Sequence, residues 1–444
     1  MAEPMGWGGE ESPERIMIIS SDSHAGPSME KAMRPYCPPE YLDEYDAFVK
    51  AYHEGTAETD YVGTLISQLL GSAASGPTID PNTDPAMRAR YEQMAAEAHL
   101  HTDCPGHTDP HARLRDMDAD GIAAELIFSG GQNSEALPFV GFGADIGSKD
   151  TSRDLLKVGE QVWNHWLADY CSVAPERLLG VMQVPIWDVP ATVEVLEEGR
   201  KAGLRAVNFP APRSDFPAYN DPVYEPFWSA CEDLELPLVT HSGGGDVPLG
   251  FYGKGGSAIH GMESIWLGRR AVWELIFGEV FERHPKLRFT MTEQRMSWAA
   301  HTLRDMDYVH RSRQPDLPHR PSEYWAMNCY MAGSYMAPWE VGLRYEVGVD
   351  NLLWGTDYPH QEGTWPYTKV ALRNSFHDVA LDEARKILGE NAIRAYYLDR
   401  NELRKVADRI GPLPEDLARP LEPGEAPAYG AAFRESGTVD AASF

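Results

Sequence analysis

"RIMIISSDSH" occupies residues 15–24, and how it ends decides the reading of the whole chain. Four apolar residues, Ile16 to Ile19, make a β-rich run that closes on an acid and an imidazole two residues apart. Side chains alternate along a strand with period two, so Asp22 and His24 point to the same side. Two polar groups aimed at one spot are either solvated loop residues or part of a site.

Working outward, the same kind of run recurs. "IAAELIFSGG" (122–131), "LLGVMQVPI" (178–186), "LRAVNFPAP" (204–212), "PLVTHSGGG" (237–245), "KLRFTMTEQ" (286–294), "NCYMAGSYM" (328–336) and "NLLWGTDYPH" (351–360) follow it. Nearly every one leads into a helix-like stretch such as "VPATVEVLEEGRKAG" (189–203). Strands alternating with helices signal parallel βαβ units. About eight such units predict an α/β fold, a closed (β/α)8 TIM barrel over residues 15–400. A doubly wound open sheet is the alternative, weakened because no G-x-G-x-x-G turn follows the first run. The gap from about 27 to 115 reads as a helical insertion, with "PPEYLDEYDAFVKAYHEG" and "DPAMRARYEQMAAEAH" on either side of a Gly/Ser/Pro loop. Residues 401–444 read as a helix and a Pro-rich acidic tail, either an arm across a neighbouring subunit or unstructured.

Composition narrows the function classes. The 444 residues carry a formal charge of −29. That argues against nucleic acid and anionic membrane surfaces, which need a positive footprint. No run approaches the roughly 20 apolar residues that span a bilayer. The acidic N-terminus lacks the apolar core of a secretory signal. Five cysteines lie scattered with no C-x-x-C pair, which predicts reduced thiols and a cytoplasmic setting.

In a barrel the site lies at the C-terminal ends of the strands. The first ends in Asp22 and His24, the fifth in His241, the sixth in Glu293 and the eighth in Asp357. Isolated carboxylates there are expensive to desolvate unless paired or bound to a metal. Glu125 sits inside "IAAELIF". If it faces inward it needs a cation; if it faces the helices, a buried arginine would satisfy it.

"DSH", "RLRDMDADGI", "THSGGG", "FERHPKLRF", "TEQ" and "WGTDYPH" resemble the amidohydrolase-2 branch of the amidohydrolase superfamily, which includes aromatic-acid decarboxylases. The resemblance covers roughly 15–400 and implies a metal-dependent (β/α)8 barrel. It implies that Asp22, His24, His241 and Asp357 are metal ligands. The sequence also departs from the family. Asp-x-His replaces the usual His-x-His or Glu-x-His, Glu293 stands where the sixth strand carries an acid–base histidine, and no lysine ends the fourth strand.

The candidate ligand set is therefore Asp22, His24, Glu125, His241, Glu293 and Asp357, with Asp357 and Glu293 as catalytic carboxylates. Four carboxylates balance two divalent cations, and carboxylate with imidazole suits iron or manganese. That inventory, and a second resemblance to actinobacterial non-heme di-iron monooxygenases of polycyclic terpenoid biosynthesis, lead to an expectation of two Fe ions. The reaction expected is O2-dependent hydroxylation of an acyl thioester in secondary metabolism. It would use an external reductant, an electron-donor partner and a substrate bearing CoA. The alternative is a single Zn or Mn ion in a hydrolase or non-oxidative decarboxylase. The barrel is expected to be a homodimer.

His360, in "DYPH", reads either as a residue that orients a metal ligand or as an extra ligand itself. Lys254 and Arg295 are basic residues on the site face, which either meet an anionic substrate tail such as a CoA diphosphate or form solvent-facing salt bridges. His101, His107 and His111 precede the second strand and read as surface or capping histidines, or, if the insertion folds back, as a source of one residue lining the roof.

Overall fold

The computed structural model describes residues 14–56, 100–101, 103–130, 135–141, 150–243, 262–263, 266–360, 363–422 and 425. Lys254, nearly all of the glycine-rich segment around it, and residues 57–99 of the expected insertion lie outside the described residues.

The strands are β1 (Ile18–Ser20), β2 (His24–Ala25), β3 (Ile122–Ser129), β4 (Leu178–Met182), β5 (Ala206–Asn208), β6 (Leu238–Thr240), β7 (Phe289–Thr292), β8 (Cys329–Gly333) and β9 (Leu352–Trp354). All pair in parallel in the order β1-β3-β4-β5-β6-β7-β8-β9. The first barrel strand comes in two pieces, since β2 also pairs with β3. The Ser21 amide donates to the Trp354 carbonyl at 2.8 Å, and Ser23 bridges Tyr358. The sheet thereby curls round into the (β/α)8 barrel that the alternation predicts.

Strand periodicity sorts the apolar residues into two cores. Met17, Ile19, Leu126, Phe128, Leu179, Val181, Val239, Ala332 and Leu353 pack together as one cluster inside the barrel. Their neighbours Ile18, Ile127, Leu178, Leu238, Phe289, Met331 and Leu352 pack outward against the helices. Buried on both faces, such strands read as continuous apolar runs. Several helices start where the sequence supplies a side-chain cap. Asp109 accepts from the His111 amide, Ser152 from Leu155 and Asp188 from Ala191.

At the N-terminal end of the barrel, Leu403, Val406 and Ala407 of the helix Arg400–Ile410 join the inner cluster. That end is plugged, so chemistry is left to the opposite mouth. The described part of the tail lies on its own barrel. Arg373 donates to the Pro420 carbonyl at 2.9 Å and pairs with Glu425 at 2.7 Å. Among the described residues no helix is long and apolar enough to cross a membrane.

Candidate metal centre

Asp22 lies in the break between β1 and β2. Its Oδ2 accepts from the Ser334 hydroxyl at 2.7 Å, which turns Oδ1 toward the barrel axis. Oδ1 lies 3.4 Å from His24 Nε2 and 3.4 Å from His241 Nε2. His24 Nδ1 faces the Ser129 carbonyl at 3.0 Å, and His241 Nδ1 faces the Ser242 carbonyl at 2.9 Å. Each outer contact commits the opposite nitrogen to the centre. Asp357 Oδ1 lies 3.3 Å from His24 Nε2 and 2.9 Å from His360 Nδ1. The His24 and His360 rings stack with centroids 3.9 Å apart. Phe128 stands edge-on to His241 at 5.0 Å and gives the cluster an apolar flank.

The backbone is bent to achieve this. Asp357 has φ 54° and Glu293 has φ 57°, in the left-handed region that favours glycine. Strain of that kind gathers at functional sites. The Asp357 amide donates to the Asp22 carbonyl at 2.9 Å, so two ends of the barrel seam are tied at the cluster itself.

Asp22 Oδ1, His24 Nε2, His241 Nε2 and both Asp357 carboxylate oxygens are buried without a hydrogen-bond partner. Buried polar atoms left this way are costly, and the cost is removed by a cation among them. The donor spacing fits: two ligand atoms about 2.1 Å from one ion lie roughly 3.0–3.4 Å apart at octahedral to tetrahedral angles. Asp22, His24 and His241 form one group able to hold a metal, and His24, Asp357 and His360 an overlapping one.

Without an ion, protons compensate the charge. Burial opposes ionisation of the imidazoles, but the facing carboxylates outweigh it, pushing His24 up to about 10 and His241 to about 9. Burial would raise Asp22, yet both imidazoles hold it well below the usual carboxylate range. Burial likewise opposes ionisation of Asp357, and the charge of His360 and the contact with His24 hold it low. A cation must therefore displace protons from His24 and His241. Metal affinity is expected to rise as pH rises toward 9, by up to about 100-fold per unit when two protons leave. Titration against a competing chelator at several pH values checks this; an affinity independent of pH would contradict it.

Two candidate ligands lie elsewhere. Glu125 is on the outer face of β3, because its neighbours Leu126 and Phe128 alternate inward at that end of the strand. Its Oε2 accepts from Arg113 Nε at 2.8 Å, the buried-arginine arrangement. Glu293 is hydrogen-bonded to the Ser242 hydroxyl, and its Oε2 lies 3.6 Å from His241 Nδ1, on the far side of that ring from the cluster. Two carboxylates, Asp22 and Asp357, remain among the donors. That charge balances one divalent ion, so the count of four that suggested two irons does not survive. Arg295 is exposed. Of the histidines read as surface or capping residues, His101 and His107 are buried and His111 is exposed. His101 Nδ1 faces the Pro359 carbonyl at 2.9 Å, and burial, together with the nearby charge of His360, lowers His107 well below the usual imidazole range. Ser334 and Ser129 were missed. Ser334 had a signal, as a polar residue just past an apolar strand in "AGSYM"; Ser129 contributes only its carbonyl, which no side-chain pattern announces.

A parallel barrel with buried carboxylates and imidazoles converging at its open mouth offers the donor set that metal-dependent (β/α)8 enzymes use. The amidohydrolase family model Amidohydro_2 matches residues 96–398, and the chain belongs to that family. It is 24% identical over 313 residues to the gamma-resorcylate decarboxylase of Rhizobium sp. (strain MTP-10005), covering 65% of this chain and 86% of that protein. Among solved structures it is similar to 5-carboxyvanillate decarboxylase LigW of Sphingomonas paucimobilis, with TM-score 0.54, 19% identity, and 86% and 100% of the two chains covered. It is also similar to a dihydroxybenzoic acid decarboxylase of Polaromonas sp. JS666 with bound manganese and the inhibitor 2-nitroresorcinol. There the TM-score is 0.54 at 15% identity, with 87% and 99% covered. These relatives are decarboxylases, and they overturn the expectation of an iron-dependent oxidoreductase hydroxylating a terpenoid with O2. The oxygen, reductant and electron-donor expectations, which depended on an oxygenase, go with it.

Proposed function

We propose that the chain is a non-oxidative decarboxylase of a small aromatic carboxylic acid, dependent on one divalent ion such as Mn or Zn. The observation that carries the reading is the set of orphaned buried donor atoms on Asp22, His24, His241 and Asp357, which suits one dication. A bound dication supplies Lewis-acid charge that holds the substrate's oxygens and stabilises negative charge developing on them. The decarboxylase relatives support the reaction class.

In the step itself the bond from ring carbon to carboxyl breaks and CO2 leaves. The electron pair stays on the ring carbon, which then takes a proton. Asp357 is the group placed to relay that proton, because its buried carboxylate stands in the cluster beside His24 and His360; as a carboxylate it takes the proton from the substrate's own acidic group and returns it to the ring carbon. Phe128 supplies the apolar flank that a ring packs against. Glu293 is assigned an orienting role behind His241.

The test is anaerobic. Purified protein is expected to release CO2 from one or more members of a hydroxybenzoate panel without O2 or reductant. A chelator should abolish this, and Mn2+ or Zn2+ should restore it. Turnover that requires O2, or purified protein that holds no metal at any pH, would overturn the proposal.

A further inference from the structure

Resting on the reading of a metal centre, a further role emerges for the residue behind it. Arg113, on the helix Pro110–Asp120, is fully buried. Its Nε donates to Glu125 Oε2 at 2.8 Å, and its Nη1 donates to the His24 carbonyl at 2.7 Å. The guanidinium carbon stands 4.6 Å from the centre of the Tyr358 ring. Tyr358 is chain neighbour to Asp357, and its carbonyl accepts from the His24 amide at 2.6 Å. Its hydroxyl donates to Asp116 Oδ2 at 2.7 Å and contacts Cys104 Sγ at 2.8 Å. One side chain thus touches the main chain of His24 and the residue following Asp357, which come from opposite ends of the sequence.

We propose that Arg113 is a positioning residue for the metal centre, setting the separation of His24 and Asp357, with Glu125 as the counter-charge that keeps its guanidinium in place. A lysine cannot do this. Only the planar fork reaches Glu125 with one nitrogen and the His24 carbonyl with another while stacking on a ring.

Groups behind metal ligands commonly change metal affinity by 10–100-fold when removed. Arg113→Met alone leaves the Glu125 carboxylate buried and unpaired, which destabilises the fold by itself. The informative variant is the double replacement Arg113→Met with Glu125→Met. It removes both charges and keeps apolar volume, and such replacements of buried pairs are often neutral for stability. The wild type, Arg113→Lys and the double variant are each freed of metal. Their thermal unfolding is measured first, and then their affinity for Mn2+ by calorimetry.

The double variant is expected to melt like the wild type yet bind Mn2+ at least about tenfold more weakly. Arg113→Lys should also bind more weakly, without rescue. Wild-type affinity in a folded double variant would show the pair to be structural only and overturn the inference. Full affinity in Arg113→Lys would overturn the requirement for the guanidinium fork. A wild type that binds no metal would instead overturn the underlying reading of the centre.

Discussion

Asp357→Asn is expected to lower kcat/KM by at least about 10³-fold, within the range that a positioned acid–base group supplies. Asparagine keeps the shape but removes the charge and the transferable proton. The proposed function gives Asp357 two roles, and the variant separates them. As a donor beside His24 and His360 its loss weakens metal binding, and excess metal should restore occupancy. As the proton carrier its loss persists at full occupancy, so turnover should stay low when the metal is saturating. A third readout needs no catalysis. His24 is held up to about 10 by Asp22 and Asp357 together against the opposing effect of burial. Removing one carboxylate should bring His24 down toward the ordinary imidazole range in the metal-free protein, observable by NMR titration. Turnover within tenfold of the wild type at saturating metal would remove Asp357 from the chemistry, whatever happened to metal binding.

The barrel was legible in the sequence because each strand is apolar on both faces and stops at polar residues. Asp22, His24, His241 and Asp357 were legible for the same reason, since a donor at a strand's end stands out against an apolar run. In the sequence Glu125 stays open between metal and arginine, and enters the ligand set, because period-two alternation says which residues share a face but not which face is inner. Only the packing of Leu126 and Phe128 inside the barrel settles it. Its partner Arg113 lies 12 residues away, on a neighbouring helix, a spacing that no local pattern marks. Glu293 ends the strand next to the one that ends in His241, and the two side chains lie near each other. Which nitrogen of His241 it meets depends on the contact to the Ser242 carbonyl, which sequence does not encode. The loop histidines were read by their place in the chain, before β3. The turn that carries His107 folds back over the mouth, where the His107 carbonyl accepts from the Gly26 amide at 3.1 Å.

Gly355→Ala is expected to cost about 100-fold in turnover, comparable to a roughly 1 Å misplacement of a reacting group. Gly355 joins β9 to Thr356 and Asp357 at the seam. A methyl group there would collide with the Gly333 carbonyl and lie 2.7 Å from Asp22 Cβ. Neither neighbour is the tip of a flexible side chain, so relief must come from backbone movement, and overpacking of this sort costs about 1–3 kcal/mol. The strain falls on Asp22 itself, whose Oδ1 is 3.4 Å from both His24 and His241. Metal affinity should fall with turnover. Gly389→Ala provides the control, because its methyl would meet the Met17 carbonyl, in the segment leading into β1. The steric insult is of the same kind, but Met17 sits five residues before Asp22 in the sequence, toward the plugged end. Both variants should melt lower than the wild type, and only Gly355→Ala should lose metal affinity. Equal affinity in the two would mean that the seam tolerates displacement of Asp22, and that the donor cluster is held by something other than the close approach of Gly355.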